Sequence, residues 1–188
     1  MSRLEESVRV LKGLTGPDPL TFAGEHYTIT NFQGMPKPVQ PHLPLLIAGG
    51  GTRMLRLAAR EADIVSMVPR MLPAGKFVEA KFGIDAFAAK AASVREMAGD
   101  RADSIKFNIL IQMVKVTNDR EAAIARLKSD HEIDNDVWFD SPMVYVGSID
   151  EICDKMRAMR EQIGISYFVA FETAFEELAP IVAILTGT

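Results

Sequence analysis

The stretch Pro44-Leu45-Leu46-Ile47-Ala48-Gly49-Gly50-Gly51-Thr52 decides how the rest of the sequence is interpreted. A short apolar strand leads into three glycines, and an amphipathic helix is predicted to follow over residues 53–61. Glycines let a backbone approach an anion closely, and the free N–H groups at a helix start favour negative charge. A tight turn that binds nothing fits this local pattern equally well. The candidate phosphate-binding residues are Ala48, Gly49, Gly50, Gly51 and Thr52, the last also as the expected helix N-cap.

Strands and helices alternate regularly after this turn. Further strands are predicted over residues 63–68, 107–116 and 166–171. Helices are predicted between and after them: over 76–98 with a weakness at Gly83, after a cap at Asn118, after the capping box at Ser148, and over 174–185 with Pro180 in a fresh first turn. This order predicts an α/β fold with about four parallel strands and right-handed crossovers. Four strands and this length correspond to half of a TIM-type (β/α)8 barrel.

The first 44 residues have a different character. Apolar residues at helical spacing predict a helix over residues 3–14, which Gly16-Pro17 ends. A small two-stranded excursion is predicted over 21–29, and the prolines between 36 and 44 predict an extended connector. We therefore expect one domain over residues 1–188: a helix over 1–15, the excursion and connector over 20–44, and four β/α units over 45–188.

Composition excludes several function classes. The 188 residues are 48% apolar and 24% charged, which is typical of a globular domain with a sizeable core. A net charge of −4 without a basic stripe argues against nucleic acid or an anionic membrane surface as a partner. The single cysteine excludes an internal disulfide framework, and no spacing of Cys and His predicts a metal site. No signal-peptide pattern or membrane-spanning run is present, so the expected location is the cytoplasm.

Few other side chains suggest chemistry. His26 is interpreted as a surface residue rather than a base, and His131 as solvated. His42 is interpreted as structural, with contact to a cofactor tail as the alternative. Cys153 fits a small buried hydrophobic residue better than a nucleophile. The remaining interpretations are the following: Met54, Met67, Met156 and Met159 as core; Trp138-Phe139 as a core anchor or a pocket cover; Glu172 as a helix-start carboxylate or a group at a barrel rim; Arg70 and Lys115 as possible contacts of an anionic cofactor tail.

Several passages, in order, resemble the luciferase-like monooxygenases, a flavin- or deazaflavin-dependent barrel family. They are residues 5–14, Phe22-Ala23-Gly24-Glu25-His26-Tyr27, Pro36-Lys37-Pro38-Val39-Gln40-Pro41, Gly49-Gly50-Gly51 with 58–63, Val94-Arg95-Glu96 before Gly99-Asp100-Arg101, 141–147, 164–169 and 179–182. The resemblance covers essentially the whole chain and is to the C-terminal half of such a protein. It is nearest to an actinobacterial-type branch thought to use coenzyme F-420, a deazaflavin, rather than FMN.

The resemblance implies a role for the glycine turn. In that family the turn equivalent to Ala48–Thr52 binds the phosphate of the cofactor, F-420 or FMN. The ring of the cofactor lies over strands of the N-terminal half, which this chain lacks, so the catalytic residues are unknown. Two functions follow: an oxidoreductase moving a hydride between a deazaflavin or flavin and a small organic substrate, or a non-catalytic half-barrel that keeps only the phosphate turn.

Half a barrel also implies association. Such a fold leaves two unpaired sheet edges and an apolar strand face without cover. We therefore expect a homodimer or a higher homo-oligomer, or a partner that supplies the N-terminal half-barrel. Either assembly is expected to bury residues that a monomer would expose: Ile109, Ile111, Val169 and Phe171.

Overall fold

A computed structural model describes residues 2–69 and 82–187, and six α-helices alternate with eight β-strands along this part of the chain. The helices are α1 (Ser2–Thr15), α2 (Thr52–Glu61), α3 (Ile84–Ala98), α4 (Arg120–His131), α5 (Ile149–Gln162) and α6 (Phe175–Leu185). The strands are β1 (Leu20–Ala23), β2 (Thr28–Phe32), β3 (Leu46–Gly49), β4 (Ile64–Met67), β5 (Lys106–Ile111), β6 (Met113–Val116), β7 (Val144–Gly147) and β8 (Ile165–Ala170). No helix within these residues is both long and apolar enough to span a bilayer.

The N-terminal excursion is an antiparallel hairpin fastened to α1. Within residues 2–69 and 82–187, strands β1 and β2 pair only with each other, as the two-stranded excursion predicted. The Glu6 carboxylate accepts hydrogen bonds from the backbone N–H groups of Glu25, His26 and Tyr27, at 2.9, 2.9 and 3.2 Å. A Cβ on Gly24 would lie 2.4 Å from the same carboxylate, so glycine at this position leaves room for the contact. The hairpin and helix therefore form one unit.

The main sheet has four parallel strands in the order β3-β4-β5-β8, which confirms the predicted strand number and direction. Side chains that alternate along these strands, among them Ile47, Val65, Met67 and Ile109, are at least nine-tenths buried. They form the principal core with apolar residues of α2, α3 and α5. The helices therefore cover one face of the sheet.

The prediction of a single strand over residues 107–116 is wrong. The segment forms two strands, because the N–H groups of Gln112 and Met113 both donate to the Met143 carbonyl, at 2.8 and 3.3 Å. The chain thus leaves the main sheet after β5 and pairs as β6 with the parallel strand β7. The sequence interpretation missed β7, which is only four residues long and follows an irregular acidic segment.

Helix starts differ from their predictions at three places. Helix α4 is capped by Asp119, whose carboxylate accepts from Ala122 N–H at 3.0 Å, and not by Asn118. The capping box of Ser148 is confirmed, with its partner Glu151. The helix predicted over 76–98 begins at Ile84 within the described residues, after an extended Gly83, and positions 76–81 lie outside them. Pro180 lies inside α6 and does not restart it.

A smaller core lies between α5, α6 and the strands β6, β7 and β8. Lys155 of α5 extends into it and donates to the carbonyls of Phe139 and Val144, at 2.9 and 2.8 Å. Its Nζ lies 5.2 Å from the centre of the Tyr145 ring. Burial lowers the pKa of Lys155 to about 8. The Tyr145 hydroxyl is fully buried and has no hydrogen-bond partner among the described residues, and burial raises its pKa.

The expected exposure of four apolar residues is half right. Val169 and Phe171 are 36% and 52% exposed, as predicted for a chain without its partner. Ile109 and Ile111 are instead buried, because their side chains point to the helix-covered face of the sheet. The face that lacks cover belongs to the alternate residues of the same strands.

Candidate functional site

The glycine turn joins β3 to the start of α2. Gly51 is the N-cap in extended conformation (φ −98°, ψ 151°), and no side chain caps the helix. The prediction of Thr52 as N-cap is therefore wrong, because Thr52 is already the first helical residue. The first N–H groups of an α-helix have no partner within the helix. The N–H groups of Thr52, Arg53 and Met54 are consequently directed out of the helix start.

Two of the three glycines are explained by packing inside the protein. A Cβ on Gly50 would lie 2.6 Å from the carbonyl oxygen of Pro69 and 2.7 Å from that of Val68, both of them backbone atoms. A Cβ on Gly49 would lie 2.0 Å from Cγ of Met54, a flexible side chain. The turn is thus held against the segment that follows β4, and Gly50 is the residue that permits this close approach.

Gly51 is not explained in this way. A Cβ built on it would meet no described atom within 4 Å, and its backbone conformation is open to any residue. Gly51 and Thr52 are both exposed. Among the described residues, therefore, nothing requires glycine at position 51. Its bare backbone leaves open space in front of the helix start, which is the space that an approaching anion needs.

The charges on α2 favour an anion at this end. Its first turn carries no acidic residue, and the exposed Arg53 lies within it. At the other end of the helix the Arg101 guanidinium donates to the carbonyls of Ala59, Arg60 and Ala62, at 2.7, 2.6 and 2.9 Å. The negative end of the helix dipole is thus compensated by a cation, whereas the first turn of α2 offers no acidic residue to compensate the positive end.

His42 lies away from the glycine turn, at the amino ends of the strands. Its Nε2 is 2.8 Å from an oxygen of Asp63, whose other oxygen accepts from Leu45 N–H at 2.7 Å. Partial burial raises the pKa of Asp63, but the hydrogen bonds from Leu45 and His42 outweigh it, and the pKa lies below its ordinary value. The structural interpretation of His42 is confirmed, because this pair fixes the start of β3 next to β4.

A small cavity of about 200 Å³ opens at the carboxyl ends of β5 and β8. Gln112, His131, Phe171 and Thr173 are among its lining residues. The interpretation of His131 as a solvated residue is therefore incomplete. The residue is exposed, and it also borders a cavity at this end of the sheet. The fold brings α4 back over the strand ends, and no local sequence signal indicates that return.

Of the two charged candidates for contact with a cofactor tail, Lys115 and Arg70, the structure describes only Lys115. Lys115 forms an ion pair with Glu177 of α6 at 2.5 Å, and Glu177 also accepts from Val116 N–H at 2.6 Å. Burial raises the pKa of Glu177, but these hydrogen bonds lower it overall. Arg70 lies outside the described residues. Glu172 begins a short 3₁₀ turn after β8 and is exposed.

Other singled-out side chains are structural. Cys153 is buried, and burial raises the pKa of its thiol, as expected of a packing residue. Phe139 is buried, and the Trp138 ring stacks on Phe82 at 4.2 Å, which favours the core-anchor interpretation. His26 contacts the Ser2 hydroxyl at 2.6 Å. It also lies beside Glu6 and Glu25, and both Glu6 oxygens accept backbone N–H groups, so this cluster stabilises the hairpin turn.

Comparisons with known proteins agree with this architecture. The family model described as luciferase-like monooxygenase matches residues 1–138. An F420-dependent glucose-6-phosphate dehydrogenase of Kineococcus radiotolerans is 36% identical over 62 residues, which are 33% of this chain and 18% of that protein. An FMNH2-dependent dimethylsulfone monooxygenase of Pseudomonas putida is 37% identical over 62 residues, 32% of this chain and 17% of that protein.

Solved structures extend the likeness over the whole fold. The EDTA monooxygenase from Chelativorans sp. BNC1 superposes with a TM-score of 0.70 at 17% identity, over 97% of this chain and 58% of that one. At this identity the likeness concerns the fold alone. The chain spans little more than half the length of that structure, and its four-stranded parallel sheet corresponds to about half of such a barrel protein.

Proposed function

Since the chain belongs to the luciferase-like monooxygenase family, we propose that it supplies the phosphate-binding part of a flavin or deazaflavin site in an oxidoreductase. The complete site would move a hydride between F420 or FMN and a small organic substrate. Both cofactors remain candidates, because one relative is named for F420 and another for FMNH2. The bound ring would supply the redox chemistry, and this chain would bind and orient its phosphate.

The observation that carries this proposal is the open space at Gly51. Gly50 is accounted for by backbone atoms of the protein, whereas no described residue needs the missing side chain of Gly51, which leaves room for a group from outside. The N–H groups of Thr52, Arg53 and Met54 would donate to phosphate oxygens, with the Thr52 hydroxyl as a further donor. The positive end of α2, whose first turn has no acidic residue, and the charge of Arg53 act in the same direction.

The rest of the site would come from the other half of a (β/α)8 barrel. We propose that β3, β4, β5 and β8 are the C-terminal half of such a barrel, which the superposition on part of a longer structure supports. Barrel enzymes place their active sites at the carboxyl ends of the strands. The glycine turn and the cavity at Gln112 and His131 both lie at this end.

A second candidate function is a non-catalytic half-barrel that binds an anion without redox chemistry. The exposed apolar side chains on β8, Tyr167 and Val169, favour it for the isolated chain, because no cofactor ring could be enclosed there. The two candidates share the phosphate turn. They differ in whether a complete cofactor binds more tightly than phosphate alone.

Backbone amide NMR during titration with inorganic phosphate and then with FMN or F420 tests the turn directly. We expect shifts concentrated at residues 50–54 with each probe. Gly51→Ala should weaken phosphate binding about tenfold, a loss of about 1.4 kcal/mol, without unfolding the protein. Gly83→Ala is the matched control, because Gly83 is also an extended N-cap with open space for a Cβ, whereas the first turn of its helix contains Asp85.

The outcomes separate the two candidates. Tighter binding of FMN or F420 than of phosphate, lost in Gly51→Ala alone, supports the oxidoreductase. Equal affinity for phosphate and for both cofactors supports the non-catalytic half-barrel. Shifts that avoid residues 50–54, or that are equally reduced by Gly83→Ala, contradict a phosphate site at this turn.

A further inference from the structure

One face of the main sheet has exposed apolar residues along its two outer strands. The strand register places Leu46 beside Ile64, Ala48 beside Ser66, Asn108 beside Tyr167, and Leu110 beside Val169. These side chains point away from the helix-covered core, because their neighbours along each strand are the buried core residues. In the middle of this face Ser66 and Asn108 are buried, whereas Leu46 of β3 and Tyr167 and Val169 of β8 are 42%, 43% and 36% exposed. Parallel sheets are normally covered on both faces, so the exposed apolar residues of the two outer strands call for a second layer.

The two outer strands are also unpaired on their outer sides. Within the described residues, β3 is hydrogen-bonded to β4 alone and β8 to β5 alone. Unpaired edges expose a row of N–H and C=O groups that readily accept another strand. Both strands run in the same direction as the rest of the sheet. One chain therefore presents two free edges that can each continue a parallel sheet.

We propose that a second copy of this chain closes the sheet. With two copies around a twofold axis, β3 of each copy would pair with β8 of the other in parallel. Two sets of four strands would give the eight strands of a closed barrel. The two contacts are equivalent, because β3 of each copy pairs with β8 of the other, and rotation by half a turn leaves no free edge. The open faces of both sheets would then form one shared interior.

Closure would also complete the anion site, a part of the inference that rests on the proposed phosphate role. The glycine turn follows β3, and the segment of Phe171 and Thr173 follows β8. Adjacent parallel strands place their carboxyl ends side by side, about 5 Å apart. Each glycine turn would therefore lie next to Phe171 and Thr173 of the other copy. Phe171 is 52% exposed in the single chain, as such a contact requires.

Engineered disulfides test the pairing of the edges. In one chain, two strands separate β3 from β8, so their backbones are about 14 Å apart. A disulfide needs Cα atoms within about 7 Å, which only strands of different copies can satisfy here. The paired variants Leu46→Cys with Tyr167→Cys and Leu46→Cys with Val169→Cys sample two registers. Arg9→Cys with Glu161→Cys, both exposed positions on helices, serves as the control.

Light scattering with size exclusion gives an independent readout. The unmodified protein at 100 μM should have twice the mass of the chain, and one of the two cysteine pairs should form covalent dimers on mild oxidation. The substitution Val169→Glu should convert the dimer to a monomer, because it places a charge in the shared interior. Val182→Glu, an exposed position on α6, should leave the dimer intact.

Each other result overturns the proposal. A well-folded monomer at 100 μM excludes closure by a second copy, and so does a dimer in which neither edge pair crosslinks. A monomer that forms a complex only with a polypeptide supplying the remaining strands identifies that polypeptide as the occupant instead. These experiments measure assembly alone, and the phosphate titration measures binding at the glycine turn alone. Closure by a second copy and phosphate binding can therefore fail separately.

Discussion

Lys155 is the buried cation whose effect on stability can be worked out most fully. Its Nζ donates to two carbonyls and lies over the Tyr145 ring, and burial lowers its pKa from 10.5 to about 8. The folded state therefore releases this proton at lower pH than the unfolded state does. Between these pKa values the unfolded chain binds more protons, so the free energy of unfolding should increase as the pH rises.

The size of the effect follows from the shift. One pKa unit corresponds to about 1.36 kcal/mol, so the drop from 10.5 to about 8 is equivalent to about 3 kcal/mol below pH 8. About 2 kcal/mol of this should be recovered between pH 7 and pH 9.5. Lys155→Met keeps the apolar stem but removes the titrating group, and it leaves the carbonyls of Phe139 and Val144 without their donor. The variant should therefore lack this pH-dependent gain.

Urea unfolding followed by circular dichroism at pH 7 and at pH 9.5 measures the difference. The wild-type protein should gain about 2 kcal/mol more than Lys155→Met over this interval. Lys106→Met, at an exposed position, is the control and should behave as the wild type. Equal pH dependence in the wild type and in Lys155→Met would refute the reasoning, because burial would then not lower the pKa of Lys155 in the folded state.

Two further substitutions test the Tyr145 hydroxyl and the hydrogen-bonded carboxylate of Asp63. Tyr145→Phe removes a buried hydroxyl for which the described part of the chain offers no partner, so it should raise the free energy of unfolding by about 1 kcal/mol, measured as a higher urea midpoint. Asp63→Asn weakens the link from His42 and Leu45 to β4 and should cost about 1 kcal/mol at pH 6. Since the pKa of Asp63 is lowered in the fold, the advantage of the wild type should shrink as the pH falls towards 3, and a constant difference would contradict this.

Most of the helices and parallel strands could be predicted because their signals are local. Apolar periodicity, glycines and the Ser148 capping box act within a few residues, and α1, α2 and α5 were found on that basis. The break at Gln112 could not be found, since the residues on both sides are apolar. The carbonyl that redirects the chain there belongs to Met143, about 30 residues away. Strand β7 was missed for a related reason, because its pairing partner β6 was itself assigned to a longer strand.

The candidate site was predicted in position but not in detail. A strand, three glycines and a helix mark the turn in any sequence, so the turn itself was visible. The reason for glycine at position 50 depends on Val68 and Pro69, which only the fold brings near. The same applies to His42, which is close to the turn in sequence but is held at the other end of the strands by Asp63. The cavity beside His131 requires α4 to fold back over the strand ends.

The three hydrogen bonds from Arg101 to the last carbonyls of α2 concern the far end of the helix, yet they affect what happens at its start. They connect the end of α2 to the segment before β5, while Gly50 lets the start of α2 pack closely against the segment after β4. The three outward N–H groups are thus held in a fixed arrangement before any ligand arrives. Binding of an anion there would not require these N–H groups to become ordered. Little of the binding free energy would therefore be lost to reduced backbone motion.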